Sequence, residues 1–300
     1  MRKISYLIIF ASIFFLSCEE NISYVGEFEQ QYSLNCILRS DKEIQYATIK
    51  RSFPTGENVQ DTDVRDAIIR LILPDTTLQF KDSLLSEDSP VKSLYYLDNY
   101  TLTKDTEIGI EALLPDGIIL NSETHSADYY RIMLRTEEWS PTSIPDNDFG
   151  DVYFYRWNSY GNQESLLYGP SFYISYYFSG HEEDVYFKEV PGRYVPQINL
   201  YEVPLEFIQE TMQEISIGID DILSINIIGA CFEIKVFDTA LGIYANSTST
   251  FEDEFSIRIS EPNITNINGG LGIFGTYISE KFNIEIKTDY IESFGYTKSP

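Results

Sequence analysis

Carboxylates dominate the chemistry this chain can offer. Of its 300 residues, 47 are Asp or Glu, against 21 Lys or Arg, two His and three Cys. Two carboxylates at a suitable separation can serve as acid and base on a glycosidic bond. With this many acids, spacing along the sequence singles out no pair. One run stands apart. Asp146-Asn147-Asp148-Phe149-Gly150-Asp151 offers oxygen donors in the manner of a Ca²⁺ loop, although it lacks the length and closing Glu of an EF-hand. Asp146, Asp148 and Asp151 are therefore metal candidates, set against a solvated acidic turn. Glu182-Glu183-Asp184 reads as a solvated loop. His125 and His181 lie far apart, with neither metal-ligand spacing nor a G-x-S-x-G nucleophile motif nearby. No catalytic residue is assigned, and no cofactor is expected.

Aromatic side chains are the second resource. Thirteen Phe, Tyr and Trp residues fall between 152 and 187. In Val152 to Trp157, period-two alternation puts Tyr153, Tyr155 and Trp157 on one face and Phe154 on the other. In Phe172 to Phe178, one face carries Phe172, Ile174, Tyr176 and Phe178, and the other Tyr173, Ser175 and Tyr177. One face of each strand must pack inward. The other is a Tyr-rich surface for glycan rings or a protein partner, with Tyr153, Tyr155, Trp157, Tyr173 and Tyr177 as its candidates. Cross-strand pairs that only stabilise a sheet are the competing account.

The third resource is glycine. Gly269-Gly270-Leu271-Gly272, followed by Gly275, lacks the strand-to-helix setting of a dinucleotide loop. Its flanks Leu271, Ile273, Phe274 and Tyr277 have strand character. These glycines read as structural, serving positive φ, a bulge or close backbone packing.

The elements that position these groups are short strands. Period-two or continuous apolar segments occur at Tyr32–Arg39, Ile44–Ile49, Ala67–Leu73, Leu78–Phe80, Leu94–Leu97 and Glu107–Leu113. Pro115-Asp116-Gly117 joins the last of these to Ile118-Ile119-Leu120 as a hairpin. Later strands are expected at Val152–Trp157, Ser171–Ser179, Phe255–Ile259 and Phe282–Ile286. Ile225 to Phe237 reads as a long buried strand broken near Gly229. Pro204 to Met212 has helical composition, and Asp238 can N-cap a helix over Thr239–Ala245. The expected fold is mainly β: an N-terminal immunoglobulin-like sandwich over 30–126, a linker region at 127–150, and a β-rich domain over 151–300 with one or two short helices. Cys36 and Cys231 fall in different units and are expected as buried thiols.

The N-terminus carries an address. Arg2 and Lys3 precede an apolar run from Leu7 to Leu16, too short to cross a hydrocarbon core of about 30 Å as a helix. The run stops at Leu16-Ser17-Cys18, which resembles a bacterial lipoprotein signal: cleavage after residue 17 and lipidation of Cys18. Residues 18–29 form an acidic tether, and Glu19-Glu20 resembles a surface-export signal of Bacteroidetes lipoproteins. Loss of Arg2 and Lys3 takes the net charge from −26 to −26 − 2 = −28. A surface this acidic excludes nucleic acid as a partner.

Asn263-Ile264-Thr265-Asn266-Ile267-Asn268-Gly269-Gly270-Leu271-Gly272-Ile273-Phe274-Gly275 resembles the C-terminal signature of the Bacteroidetes lipoprotein family known as domain of unknown function 4249. Cys18-Glu19-Glu20, the strand Phe232-Glu233-Ile234-Lys235-Val236 and Tyr244 follow that family's order. The resemblance implies a non-catalytic outer-membrane lipoprotein, held by its lipid, that binds a ligand or partner, with a TonB-dependent receptor as the suggested companion. The cell surface is favoured over the periplasmic face. A glycan-active hydrolase using a carboxylate pair and a surface scaffold or adhesin are the alternatives.

Overall fold

The computed structural model describes residues 29–53, 62–84, 93–135, 143–145, 150–161, 166–219, 224–247 and 264–299. Cys18, the tether up to residue 28, Asp146, Asp148 and the strand expected at 255–259 lie outside them.

The protein is mainly β. The first half supplies β1 Tyr32–Arg39, β2 Gln45–Arg51, β3 Ile68–Leu73, β4 Thr76–Gln79, β5 Lys81–Leu84, β6 Ser93–Leu97, β7 Glu107–Leu113 and β8 Ile119–His125. Next come β9 Arg131–Leu134, β10 Ser143–Ile144, β11 Val152–Tyr160, β12 Leu167–Phe178, β13 Tyr186–Val190, β14 Arg193–Val195 and β15 Leu200–Pro204. Helix α1 (Leu205–Ile215), β16 (Ile225–Phe237), α2 (Thr239–Ser247), β17 (Phe274–Ile286), α3 (Thr288–Ser293) and β18 (Thr297–Lys298) complete the order. The long β16 loses register with β12 next to Gly229, so a bulge stands where the sequence breaks its apolar run. Asp238 accepts the Leu241 N–H at 2.7 Å and so caps α2. Helix α1 buries Ile208, Thr211, Met212 and Ile215, the i, i+3, i+4, i+7 stripe of an amphipathic helix.

These strands do not divide into two units at 127–150. One ten-stranded sheet runs β13-β12-β16-β17-β1-β2-β6-β5, with β10 and β18 attached to β17 and β16. Strands from both ends of the chain meet where β1 lies parallel to β17, with Cys36 opposite Phe274 and Arg39 opposite Tyr277. Two four-stranded sheets, β4-β3-β7-β8 and β14-β15-β11-β9, complete the fold. Buried side chains of all three sheets merge into one core, from Leu34 and Ile69 to Trp157 and Phe232. The expected linker itself contributes β9, which pairs with β11. A second, small cluster of Ile37, Phe237, Leu241, Tyr244, Ile273 and Tyr277 forms under α2.

The glycine-rich run makes the junction possible. Leu34 N–H donates to the Leu271 carbonyl, and Cys36 N–H to that of Ile273, both at 2.9 Å. A Cβ on Gly272, whose φ is +110°, would sit 2.1 Å from the Leu34 carbonyl oxygen. One on Gly270 would sit 2.5 Å from the Tyr32 carbonyl oxygen, and one on Gly269 2.4 Å from that of Ile119. Gly275 leaves room for Leu241 of α2. Any side chain at 269, 270 or 272 would push two backbones apart.

Candidate binding surface

The aromatic face expected on β11 is not a surface. Tyr153, Tyr155 and Trp157 are at most 1% exposed. The alternation was legible, but the four-stranded sheet turns this face onto the large sheet. Tyr155 stacks on Phe232 at 4.9 Å and 24°, and Trp157 stacks on Tyr194 at 5.6 Å and 20°. These three residues therefore belong to the core, and the account of them as ligand contacts is corrected. Tyr177 is buried too, its hydroxyl 3.4 Å from that of Ser299. Tyr173 is half-buried on the opposite face of the large sheet, directly across from Cys231. Burial pushes its hydroxyl pKa up to about 12.

The exposed aromatics lie one strand further out. Strand β13 is the last in the large sheet and pairs with β12 from Tyr176↔Tyr186 to Phe172↔Val190. Ahead of it comes the turn His181-Glu182-Glu183-Asp184, entered through Gly180 at φ +83°. Val185, Tyr186 and Phe187 are 40, 44 and 60% exposed in succession. Tyr186 stacks on Tyr176 at 5.6 Å and meets Phe178 edge-on at 5.4 Å. The rings thus hold one another in place while presenting apolar area to solvent. Edge strands usually carry charge or proline where they face water, whereas here Tyr186 on one face of the edge and Phe187 on the other are exposed, with Val185 just ahead of the strand.

Beside this strand, α1 leaves a cleft of about 260 Å³ lined by Lys188, Glu189, Pro191, Phe207, Glu210, Thr211 and Glu214. Lys188 crosses it to Glu214 at 2.9 Å. The volume falls below the roughly 300–1,000 Å³ of small-molecule sites, so the cleft has room for about one side chain. The sequence did not single out Tyr186 or Phe187. The available signal was an unbroken Val-Tyr-Phe run directly after three acids.

Two other polar places bear on function. On the face of the large sheet opposite the main core, Glu233 is 6% exposed and accepts the Ser279 hydroxyl at 2.5 Å. Lys281 lies 3.8 Å from Glu233 and 3.7 Å from Asp41, and Asp41 is clasped by Arg39 at 2.6 Å. Burial works to raise the Asp41 pKa, but the Arg39 guanidinium outweighs it and holds the carboxyl below its usual range. Burial pushes the Cys231 thiol up, which favours its protonated form. Cys36 and Cys231 are both buried thiols without a disulfide. A hollow of about 320 Å³ lies on the outer face of β3, β7 and β8, around Ile72, Gly109, Glu111 and Glu123.

No cluster of three or more His, Cys, Asp or Glu able to hold a metal occurs among the described residues. Asp151 is exposed at the start of β11, and its main-chain oxygen accepts the Leu205 N–H at 2.8 Å. His125 meets Asp105 at 2.8 Å in the open, and His181 stands 3.8 Å from Asp184. Compared with known protein families and with curated proteins, the chain matches none.

Proposed function

We propose that this protein is a non-catalytic outer-membrane lipoprotein, anchored through Cys18, that binds a partner along strand β13 as an accessory of a TonB-dependent receptor. The observation that carries the binding role is the exposed pair Tyr186 and Phe187 on the edge strand β13, with exposed Val185 just before it. An extended partner segment laid along β13 would take main-chain hydrogen bonds from its outer edge. Tyr186 and Phe187 would supply apolar contact, and Glu189 and Glu210, which line the cleft beside the Lys188–Glu214 pair, would favour a basic side chain there. The anchoring part rests on Leu16-Ser17-Cys18 ending an apolar run, and the receptor on the family resemblance.

Two experiments test the two parts. Cys18→Ala should move the protein from the membrane to the soluble fraction, and retention in the membrane would refute anchoring. A pull-down of the lipidated protein from its native outer membrane should recover a stoichiometric β-barrel receptor. Recovery of the protein alone would favour a free-standing binder and direct attention to glycan-binding and hydrolysis screens.

A further inference from the structure

The chain enters the fold at one end of the large sheet, and that end is apolar. Tyr32, the first residue of β1, donates its hydroxyl to Asp116 in the β7–β8 turn at 2.6 Å. Just beyond that turn, Ile118 and Ile119 are 40 and 48% exposed. Ile119 lies opposite Leu113, and Leu113 opposite Ile68, so a row of aliphatic side chains crosses three strands on the outer face. Ile68 is itself 37% exposed. Ser52 N–H donates to the Gln31 carbonyl at 2.8 Å, which brings the exposed Phe53 to the same end. Single exposed apolar side chains need no account, but a row of them around the point of chain entry does.

We infer that this end rests on the membrane, with Ile68, Ile118, Ile119 and Phe53 set against phospholipid. The inference depends on the anchoring proposed above. From Cys18 to Gln30 there are 30 − 18 = 12 residues. Fully extended they reach about 40 Å. A lipid on Cys18 therefore keeps the chain-entry end, rather than any other, close to the leaflet, at a high effective concentration of lipid. Burying aliphatic side chains in the interface is favourable in the same way as burying them in a core. The strand directions add a consequence. The chain passes up β1 and up β17, down β16 and up β12, so the Phe178-to-Tyr186 turn lies at the end opposite Tyr32. An aliphatic end on lipid presents the β13 surface away from the membrane.

The test uses the full-length lipidated protein in phosphatidylcholine vesicles, with a nitroxide on Ile119→Cys and, separately, on Glu183→Cys. Cys36 and Cys231 are buried, and Cys18 is acylated in the proposed form. On vesicles the label at 119 should lose collisions with a water-soluble nickel chelate and gain collisions with oxygen, while the label at 183 stays open to the chelate. Hydrogen exchange on the unsubstituted protein gives an independent reading: the amides of 114 and 116–119 should slow on vesicles. An acylated, vesicle-bound protein whose position 119 stays wet and whose turn exchanges at its lipid-free rate overturns this inference alone. Protection of position 119 before vesicles are added, with a doubled molecular mass, assigns the row to a second copy and also overturns it. Absence of an acyl chain on Cys18 overturns the anchoring, and this inference with it.

Discussion

Replacing Asp238 by Ala should destabilise the protein more than any surface substitution in the same helix. The carboxylate is 1% exposed and does three things at once. It caps α2 through Leu241 N–H at 2.7 Å, accepts the Thr124 hydroxyl of β8 at 2.7 Å, and accepts the Thr276 N–H of β17 at 2.5 Å. Loss of an N-cap costs about 1 kcal/mol. A buried N–H left without a partner, here Thr276, costs about 1–3 kcal/mol more. Relief of a desolvated carboxylate offsets part of this sum, so the net loss is about 1–3 kcal/mol. For a chain of this length, that lowers Tm by about 2–6 °C in a thermal melt followed by circular dichroism. The Asn variant separates charge from hydrogen bonding. Burial raises the Asp238 pKa above the ordinary Asp value of 3.8, against the pull of those three donors. The folded state therefore holds a proton that the unfolded state has released, and stability falls as pH rises from 3.8 through the raised value. Measured against Asp238→Asn, the parent should lose ground over that window. An Ala variant within about 0.5 kcal/mol of the parent, the range of ordinary surface changes, would refute the account of Asp238 as a tie between β8, α2 and β17.

Three further outcomes follow from the same packing. Gly180 and Gly272 both have positive φ, but only Gly272 lacks space. Gly180→Ala should cost about 1–2 kcal/mol, and Gly272→Ala about 2–5 kcal/mol once overpacking against Leu34 is added; equal costs in urea denaturation would contradict the junction described for β1 and β17. The Tyr155 hydroxyl is buried without a hydrogen-bond partner among the described residues, so Tyr155→Phe should leave stability unchanged or raise it, and a loss in the same denaturation assay would reveal a partner. Burial pushes the Tyr95 and Tyr100 hydroxyls from 10.0 up to about 12; unfolded tyrosines release protons first, so stability should fall as pH rises from 10 to 12, and a flat profile would place these rings in water.

Local signals carried much of this fold. β1 and β7 have the bounds their apolar patterns imply, because each is a run that stops at polar turn residues. β16 and the Asp238 cap were legible for the same reason. The join of β1 to β17 was not, since the pairing of Cys36 with Phe274 spans most of the chain and leaves no periodic trace. That is why two units were expected where one ten-stranded sheet takes strands from both ends of the chain. For Tyr153, Tyr155 and Trp157 the shared face could be read, but which way it points depends on a second sheet that no single strand encodes. β13 was missed because Tyr186-Phe187-Lys188-Glu189 has no period-two pattern: its residues answer to solvent and to α1 rather than to a core.

The binding role of β13 is tested most directly by placing a photo-crosslinking phenylalanine at position 187 of the lipidated protein in its native outer membrane, with the same group at Tyr130 as a control. Tyr130 is 72% exposed. The account predicts that irradiation joins position 187, and not position 130, to one β-barrel receptor, and that a charge at the neighbouring position, Tyr186→Asp, abolishes the adduct while the protein stays folded and membrane-bound. Equal labelling from both positions, or an adduct that survives Tyr186→Asp, would contradict it.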